Sequence, residues 1–202
     1  MDLPSNERHL YPLHFSGIAG CYQCAKELLE ANATLNMDPS QESPLDLAIV
    51  NNHTEVAELI FIHLEDKNPV TNSGASPLHF AALMGHFDLF DFMTTHGTHG
   101  CPRMNGLTEE ILDGQTPMHV AAALGHLNIV ELYVRKNFCQ DPNPGLPSGE
   151  TPMHQAAAKG HVEIVNFLME NVDDQNPLAN PDGLTPFHYA VTEGQFEVVK
   201  VG

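Results

Sequence analysis

The sequence feature that most restricts the fold is a fifteen-residue pattern that occurs six times along the chain. It reads TPMHVAAALGHLNIV at residues 116–130, with close copies beginning at 76, 151 and 185 and two weaker copies beginning at 11 and 43. The spacings between successive copies are 32, 33, 40, 35 and 34 residues. Self-similarity at such a period is typical of repeat architectures, in which each unit completes its core against its neighbours. The sequence therefore predicts a stack of similar units.

Within one copy, the residue types predict two helices joined by a tight turn. Thr116 can cap a helix by accepting a hydrogen bond from a backbone N–H, and Pro117 suits the first helical position because it has no N–H to satisfy. Ala121 to Ala123 are strong helix formers of little bulk, and Gly125 allows the left-handed turn that ends a helix. After the glycine, apolar residues recur at helical period. We therefore expect a short, thin first helix and a second helix that buries more apolar surface.

The motif TPxHxAAxxGHxxIV resembles the signature of the ankyrin repeat, whose length is also close to 33 residues. The resemblance covers roughly residues 10–202 and is strong in the last four copies and weak in the first two. It implies an all-α repeat solenoid, an ankyrin-type helix-turn-helix stack with short projecting hairpin loops. We expect a single array over residues 1–202 with about six repeats, placed approximately at residues 8–40, 41–73, 74–113, 114–148, 149–182 and, incompletely, 183–202.

The first two copies depart from the pattern. In the first, Tyr11 replaces the capping threonine and Ser16-Gly17 replaces the alanine pair. We interpret this copy as a degenerate cap, since terminal repeats meet water on one side. In the second, Asp46 replaces the motif histidine and Asn52 stands at the glycine position. Asparagine tolerates the left-handed conformation, so the turn is expected to survive.

Two segments are irregular. The connector at residues 94–115 holds about seven extra residues, and insertions in repeat proteins often lie on the binding face. The last copy stops within its second helix, where we expect exposure of Val198, Val199 and Val201. Either further chain or a partner would cover these side chains, and we favour a fragment of a longer array. A monomer is favoured unless a partner covers that end.

The charge of the chain bears on its partners. It has 8 Lys and Arg against 26 Asp and Glu, a formal net charge of −18. Nucleic acids and anionic membrane surfaces both attract basic proteins, so neither is expected as a partner. A partner protein with a basic or apolar surface is favoured.

Compartment is inferred from three absences in the sequence. The start of the chain shows no secretory signal, and no stretch approaches the 18 apolar residues of a membrane span. The four cysteines have no spacing typical of a disulfide framework, which fits a reducing compartment. We expect a cytoplasmic protein, with a nuclear location as the alternative.

The histidines and cysteines raise the question of metal binding. Histidines at the same position of successive repeats form a ladder and do not converge on one point. The resemblance implies that each motif histidine bonds its own capping threonine or serine and a neighbouring repeat. His96, His99 and Cys101 in the connector could supply zinc ligands, but their spacing matches no usual zinc pattern. The Cys21-x-x-Cys24 pair is a redox or metal candidate, for which burial or chance is favoured. We expect no metal and no cofactor.

The sequence holds few motifs that would indicate catalysis or covalent modification. No nucleophile elbow, phosphate-binding loop or HExxH motif occurs, so we expect no enzyme activity. Ankyrin finger loops resemble asparaginyl hydroxylase substrates when Leu precedes an Asn by eight residues and an acid precedes it by two. Leu168, Asp174 and Asn176 fit that spacing. The alternative is that Asn176 only supports its turn, which we favour.

The function we expect is a protein–protein interaction module, an adaptor or scaffold that binds through the concave face and finger loops. A regulatory ankyrin domain of a larger channel or enzyme is the alternative, and a metal-binding or catalytic role is a distant third. The resemblance implies contact positions just before the TP pair and just before the glycine. Carried onto this chain, these are Asn72, Ser73, Ala75, Leu83, Met84, Leu112, Asp113, Gln115, Ala123, Leu124, Ser148, Glu150, Ala158, Lys159, Asp182, Leu184, Thr192 and Glu193. Leu83, Met84 and Leu124 are expected to form an apolar centre with acids around it.

Overall fold

The structure is a computed structural model that describes residues 10–35, 43–71, 74–97, 103, 114–138, 143–179 and 182–202. The chain forms two compact units, residues 1–98 and residues 99–202, so that the irregular connector contains the boundary. Within the described ranges there are twelve α-helices, and Ala179 and Leu184 form an isolated β-bridge. The prediction of an all-α helix-turn-helix stack is confirmed.

The first unit contains three helix pairs. Their helices are α1 (Pro12–Ala19), α2 (Tyr22–Glu30), α3 (Pro44–Val50), α4 (Thr54–His63), α5 (Pro77–Met84) and α6 (Phe87–His96). The first helices pack in succession, α1 on α3 and α3 on α5, and the second helices pack likewise, α2 on α4 and α4 on α6. Equivalent positions of successive repeats therefore lie side by side.

The second unit repeats the arrangement. Its helices are α7 (Pro117–Leu124), α8 (Leu127–Arg135), α9 (Pro152–Lys159), α10 (Val162–Asn171), α11 (Pro186–Thr192) and α12 (Phe196–Val199). Helix α9 packs between α7 and α11, and α10 contacts both α8 and α12.

The helix boundaries follow the local signals of the motif. All six first helices begin with proline after an extended N-cap residue, which is serine or threonine in every copy except the first. Gly125 ends α7 with φ of 82°, and Asn52 takes φ of 61° after α3, so the expected tolerance of asparagine is confirmed.

Both helices of each pair supply the core, and the fully buried aromatic side chains lie on second helices. Fully buried side chains of the first unit include Ile60, Phe61, Phe90 and Met93, and those of the second unit include Ile129, Val130, Tyr133, Val165 and Leu168. The first helices contribute large buried side chains such as Leu78 and Met118, together with alanines that let neighbouring repeats pack closely.

The departures of the first copy have a packing reason that the sequence did not reveal. A Cβ on Gly17 would lie 2.5 Å from the backbone oxygen of Pro44, so a glycine is needed where α1 approaches the start of α3. The hydroxyl of buried Ser16 donates to the backbone oxygen of Leu13 at 2.7 Å. Close helix packing thus explains Gly17, and a bond within α1 satisfies the buried hydroxyl of Ser16.

The end of the second unit differs from expectation at one residue. Val198 was expected to be exposed, but its side chain is fully buried, because α12 packs on α10 and α11. Val199 and Val201 are exposed as expected. Even the four-residue α12 therefore places one valine in the core.

Candidate binding surface

The motif histidines are structural, as the resemblance implies. In the repeat of α7, the backbone N–H of Thr116 donates to Nδ1 of His119 at 3.3 Å, and the Thr116 hydroxyl lies 2.9 Å from the same atom. Nδ1 therefore accepts, which places the proton on Nε2, 3.4 Å from the backbone oxygen of Glu150 in the next repeat. The prediction that this histidine bonds its own cap and a neighbouring repeat is confirmed.

His154 makes the same pair of connections and is fully buried. Nδ1 accepts from the backbone N–H of Thr151 at 3.1 Å, and Nε2 lies 3.1 Å from the backbone oxygen of Leu184. Burial lowers the pKa of His154 below its ordinary value, while the bond to Leu184 and the carboxylates of Glu150 and Asp174 oppose that shift. The ring is therefore neutral at pH 7.

A second set of side chains joins repeats at the turn after the first helix. Nε2 of His53 lies 3.0 Å from the backbone oxygen of Ile18, and Nε2 of His161 lies 3.1 Å from that of Ala123. In the last repeat Gln195 takes this role and donates to the Ala158 oxygen at 3.2 Å. Each bond satisfies a carbonyl at the end of a first helix, where the helix leaves it without a partner.

Two further kinds of site would involve a metal ion or a membrane. Among the residues that the structure describes, no three His, Cys, Asp or Glu side chains are grouped so that they could hold a metal ion. His96 is described, with Nδ1 2.9 Å from the backbone oxygen of Phe92, but His99 and Cys101 lie outside the described residues. In the same described ranges, no helix is both long and apolar enough to span a membrane.

The predicted contact residues of the first unit have mixed exposure. Leu83 and Met84 are exposed at the end of α5, as the prediction requires. Ala75 is buried, and its backbone is paired with Thr71 in the finger turn, so its side chain is not available to a partner. Asn72 and Ser73 lie outside the described residues.

In the second unit, Leu112 and Asp113 lie outside the described residues. Six predicted residues are exposed: Leu124, Ser148, Lys159, Asp182, Thr192 and Glu193. Five are half-buried: Gln115, Ala123, Glu150, Ala158 and Leu184.

Glu150 is already engaged within the second unit. The Tyr189 hydroxyl donates to its Oε1 at 2.7 Å, and Gln155 Nε2 donates to its Oε2 at 3.1 Å. Burial and the bond to Glu150 raise the pKa of Tyr189 to about 12. Both carboxylate oxygens have partners, so Glu150 organises its surroundings and is less available to a binding partner.

The predicted contact residues do not include two residues that are equivalent to Leu83. Ile18 is the second-last residue of α1 and Val50 is the last residue of α3, and both occupy the motif position of Leu83. Their side chains are 38% and 43% exposed, against 48% for Leu83. Since α1, α3 and α5 pack in succession, the three aliphatic side chains line one face. We call Ile18, Val50 and Leu83 the aliphatic row. Alignment of the copies would have identified it, because the position is aliphatic in all three.

The same position is different in the second unit, where it is occupied by Ala123, Ala158 and Thr192. None of these three side chains offers a large apolar surface. The aliphatic row is therefore a property of the first unit.

The finger loops have the predicted hairpin character. Ala179 and Leu184 pair as an antiparallel bridge, with the Ala179 N–H donating to the Leu184 oxygen at 2.8 Å. Asn176 is exposed, and its N–H donates to Asp174 Oδ1 at 3.1 Å, which supports the turn. Hydroxylation of Asn176 stays a prediction.

The cysteine pair corrects a sequence interpretation. Cys21 and Cys24 were attributed to burial or chance, but the structure joins them in a disulfide at the start of α2. Their spacing places them one helical turn apart, which brings the side chains together. The CxxC spacing was the available signal.

Comparison with known proteins agrees with the fold. The family model for ankyrin repeats in three copies matches residues 2–72, 61–138 and 132–201. The chain therefore belongs to the ankyrin repeat family. The crystal structure of EF0377, an ankyrin repeat protein, is similar at a TM-score of 0.77 and 24% identity over 98% of each chain, a likeness that bears on the fold alone. Comparison with curated proteins gave no match.

Proposed function

We propose that this protein is an adaptor or scaffold that binds a partner protein, with the aliphatic row of the first unit as its anchor surface. Ankyrin repeats are generally protein–protein interaction modules. The observation that carries the finer proposal is the exposure of Ile18, Val50 and Leu83, at 38%, 43% and 48%, on three adjacent first helices.

A row of this kind is more informative than scattered surface residues. Single exposed aliphatic side chains are common on soluble proteins, but contiguous ones mark interaction sites. Met84 extends the row at the end of α5, where it is also exposed. Aliphatic anchors in the centre of an interface carry much of the binding energy when a partner excludes water from them.

The partner expected is a protein segment with apolar anchors flanked by basic residues. The apolar part follows from the row, and the basic part follows from the formal net charge of −18. Complementary charge speeds encounter and disfavours acidic competitors. The exposed acids Asp182 and Glu193 stay predicted contact residues of the second unit by itself.

The chain provides a matched control for the test. A first variant carries Ile18→Glu, Val50→Glu and Leu83→Glu, and the control carries Ala123→Glu, Ala158→Glu and Thr192→Glu at the equivalent positions of the second unit. Both add three negative charges on three first helices, so they differ in the aliphatic surface that is lost. Circular dichroism and urea unfolding establish that each variant is folded.

Partners captured by the parent chain are purified and titrated against all three proteins. Burial of each half-exposed aliphatic side chain is worth about 1 kcal/mol, so the first variant should bind about 100-fold more weakly. The control should lose much less. Equal losses in the two variants, or full binding by the first, would refute the aliphatic row as the anchor.

A further inference from the structure

The disulfide between Cys21 and Cys24 lies at the start of α2, outside the proposed anchor surface. Cys21 is the N-cap residue and is half-buried, whereas Cys24 is exposed on the first turn of the helix. We infer that this pair is a thiol–disulfide exchange site for peptides or proteins whose reacting cysteine has apolar neighbours. The inference is independent of the proposed anchor surface.

A purely structural role explains the disulfide poorly. The two residues are three apart in sequence, with Cα atoms 5.3 Å apart, in a turn that the helix already holds. The stabilisation that a cross-link provides grows with the length of the loop it closes, so this one adds little. Ala25 and Leu29 of the same helix are buried and anchor α2 without it.

The local geometry favours exchange. The backbone N–H of Cys24 donates to Sγ of Cys21 at 3.3 Å, and the nine-residue helix α2 directs its positive end at that sulfur. Both effects stabilise a thiolate at Cys21 after reduction, which makes it the better leaving group. The exposed Cys24 is the sulfur that an incoming thiolate can reach.

In the exchange reaction the partner's thiols are the reductant. A partner thiolate attacks Sγ of Cys24, the Cys21–Cys24 bond breaks, a partner–Cys24 disulfide forms and Cys21 leaves as a thiolate. A second partner thiolate attacks the partner sulfur of the mixed disulfide and releases Cys24 as a thiolate. Two partner thiols become one disulfide, and the cysteine pair accepts two electrons and two protons. The reverse reaction oxidises the pair.

An apolar groove lies beside the two sulfurs. Both cysteines line an open cavity of about 510 Å³ together with Leu10, Pro12, Phe15, Ala19 and Leu28. Phe15 is exposed, so its ring is available to a bound chain. A cysteine flanked by leucine side chains would bury them in this groove while its sulfur reaches Cys24.

The first test measures whether the pair exchanges reversibly. The full chain, starting either with the disulfide formed or with both thiols reduced, is equilibrated in glutathione buffers that range from fully oxidised to fully reduced. The samples are then acid-quenched and alkylated, and the Cys21–Cys24 peptide is quantified by mass spectrometry. We expect both directions to reach the same intermediate occupancies. A pair that stays oxidised in reduced glutathione, or never closes in oxidised glutathione, overturns the inference.

A Cys21→Ser variant tests the structural alternative. Serine is a favourable N-cap residue, so the variant keeps the cap and loses only the disulfide. Its urea unfolding midpoint should match that of the parent chain. Loss of the helical signal of the first unit would show instead that the disulfide maintains the fold, which would overturn the inference.

The groove is tested with two peptides, one with its cysteine flanked by leucines and one with its cysteine flanked by serines. The rate at which each peptide reduces the Cys21–Cys24 disulfide is divided by its rate with a small-molecule disulfide. The leucine peptide should reduce the pair about tenfold faster, the effect of burying one leucine side chain. Phe15→Gln should remove that preference. Ile62→Gln, at an exposed aliphatic side chain of α4 outside the groove, should keep it. Equal peptide rates, or equal losses in both variants, overturn the assignment of the groove.

Discussion

Replacement of His154 tests how the motif histidine connects one repeat to the next. His154 Nδ1 accepts from the buried N–H of Thr151, and Nε2 donates to the Leu184 oxygen. The Leu184 oxygen also accepts from the Ala179 N–H at 2.8 Å, so it keeps one bond when the histidine is removed. The Thr151 N–H keeps none of its described bonds. Loss of the cap is therefore expected to cost more than loss of the connection between repeats.

The two lost hydrogen bonds are expected to differ in their cost to the free energy of unfolding. Leaving the Thr151 N–H unpaired costs about 1–3 kcal/mol, and loss of the bond to Leu184 costs about 1 kcal/mol. With the packing of the buried ring also lost, His154→Ala should lower the free energy of unfolding by about 3–5 kcal/mol. His154→Asn retains an acceptor near the cap, as Asp46 does for Ser43 in the second repeat. Its cost should be about 1–2 kcal/mol, because only the connection to Leu184 and part of the packing are lost.

The assay is urea unfolding followed by circular dichroism and by tyrosine fluorescence, with coincident transitions required before a free energy is quoted. His188→Ala is the control, because His188 caps Thr185 through the same bonds but is exposed to water. It should cost about 1 kcal/mol or less, since water replaces the lost partner. Equal costs for His154→Ala and His154→Asn would refute the role of the cap.

Two further predictions concern pH and helix packing. Burial lowers the pKa of His154 in the folded chain, so as the pH falls the unfolded chain takes up the proton first. The stabilisation that the neutral His154 ring provides is therefore complete above about pH 6.5 and is lost as the pH falls below it. Urea titrations from pH 7.5 to 5 should show the stability gap between the parent chain and His154→Asn shrinking, and a constant gap would contradict this. Gly17→Ala should lower the free energy of unfolding by about 1–2 kcal/mol despite the better helix propensity of alanine, because the new Cβ meets the Pro44 oxygen. A stabilised variant in the same assay would show that α1 can move away from α3.

The helix boundaries could be predicted from the sequence because their causes are local. Thr116 and Pro117 start α7, and Gly125 ends it, through backbone geometry that each residue type favours by itself. The role of Gly17 could not be predicted in this way, because it depends on how closely α3 approaches α1. Burial of Val198 is likewise decided by α10 and α11.

The predicted contact residues include only Leu83 of the aliphatic row, because the prediction used positions of the family and not a comparison among the copies themselves. In α5 the two alanines before Leu83 are fully buried between neighbouring helices, so packing restricts them to small residues. The next position points outward, and packing leaves its identity free. Aliphatic residues stand there in three successive repeats, where alanine or threonine suffices in the other three, so the fold by itself does not require them. The partner proposed above would account for them, since exposed aliphatic surface gains nothing from water.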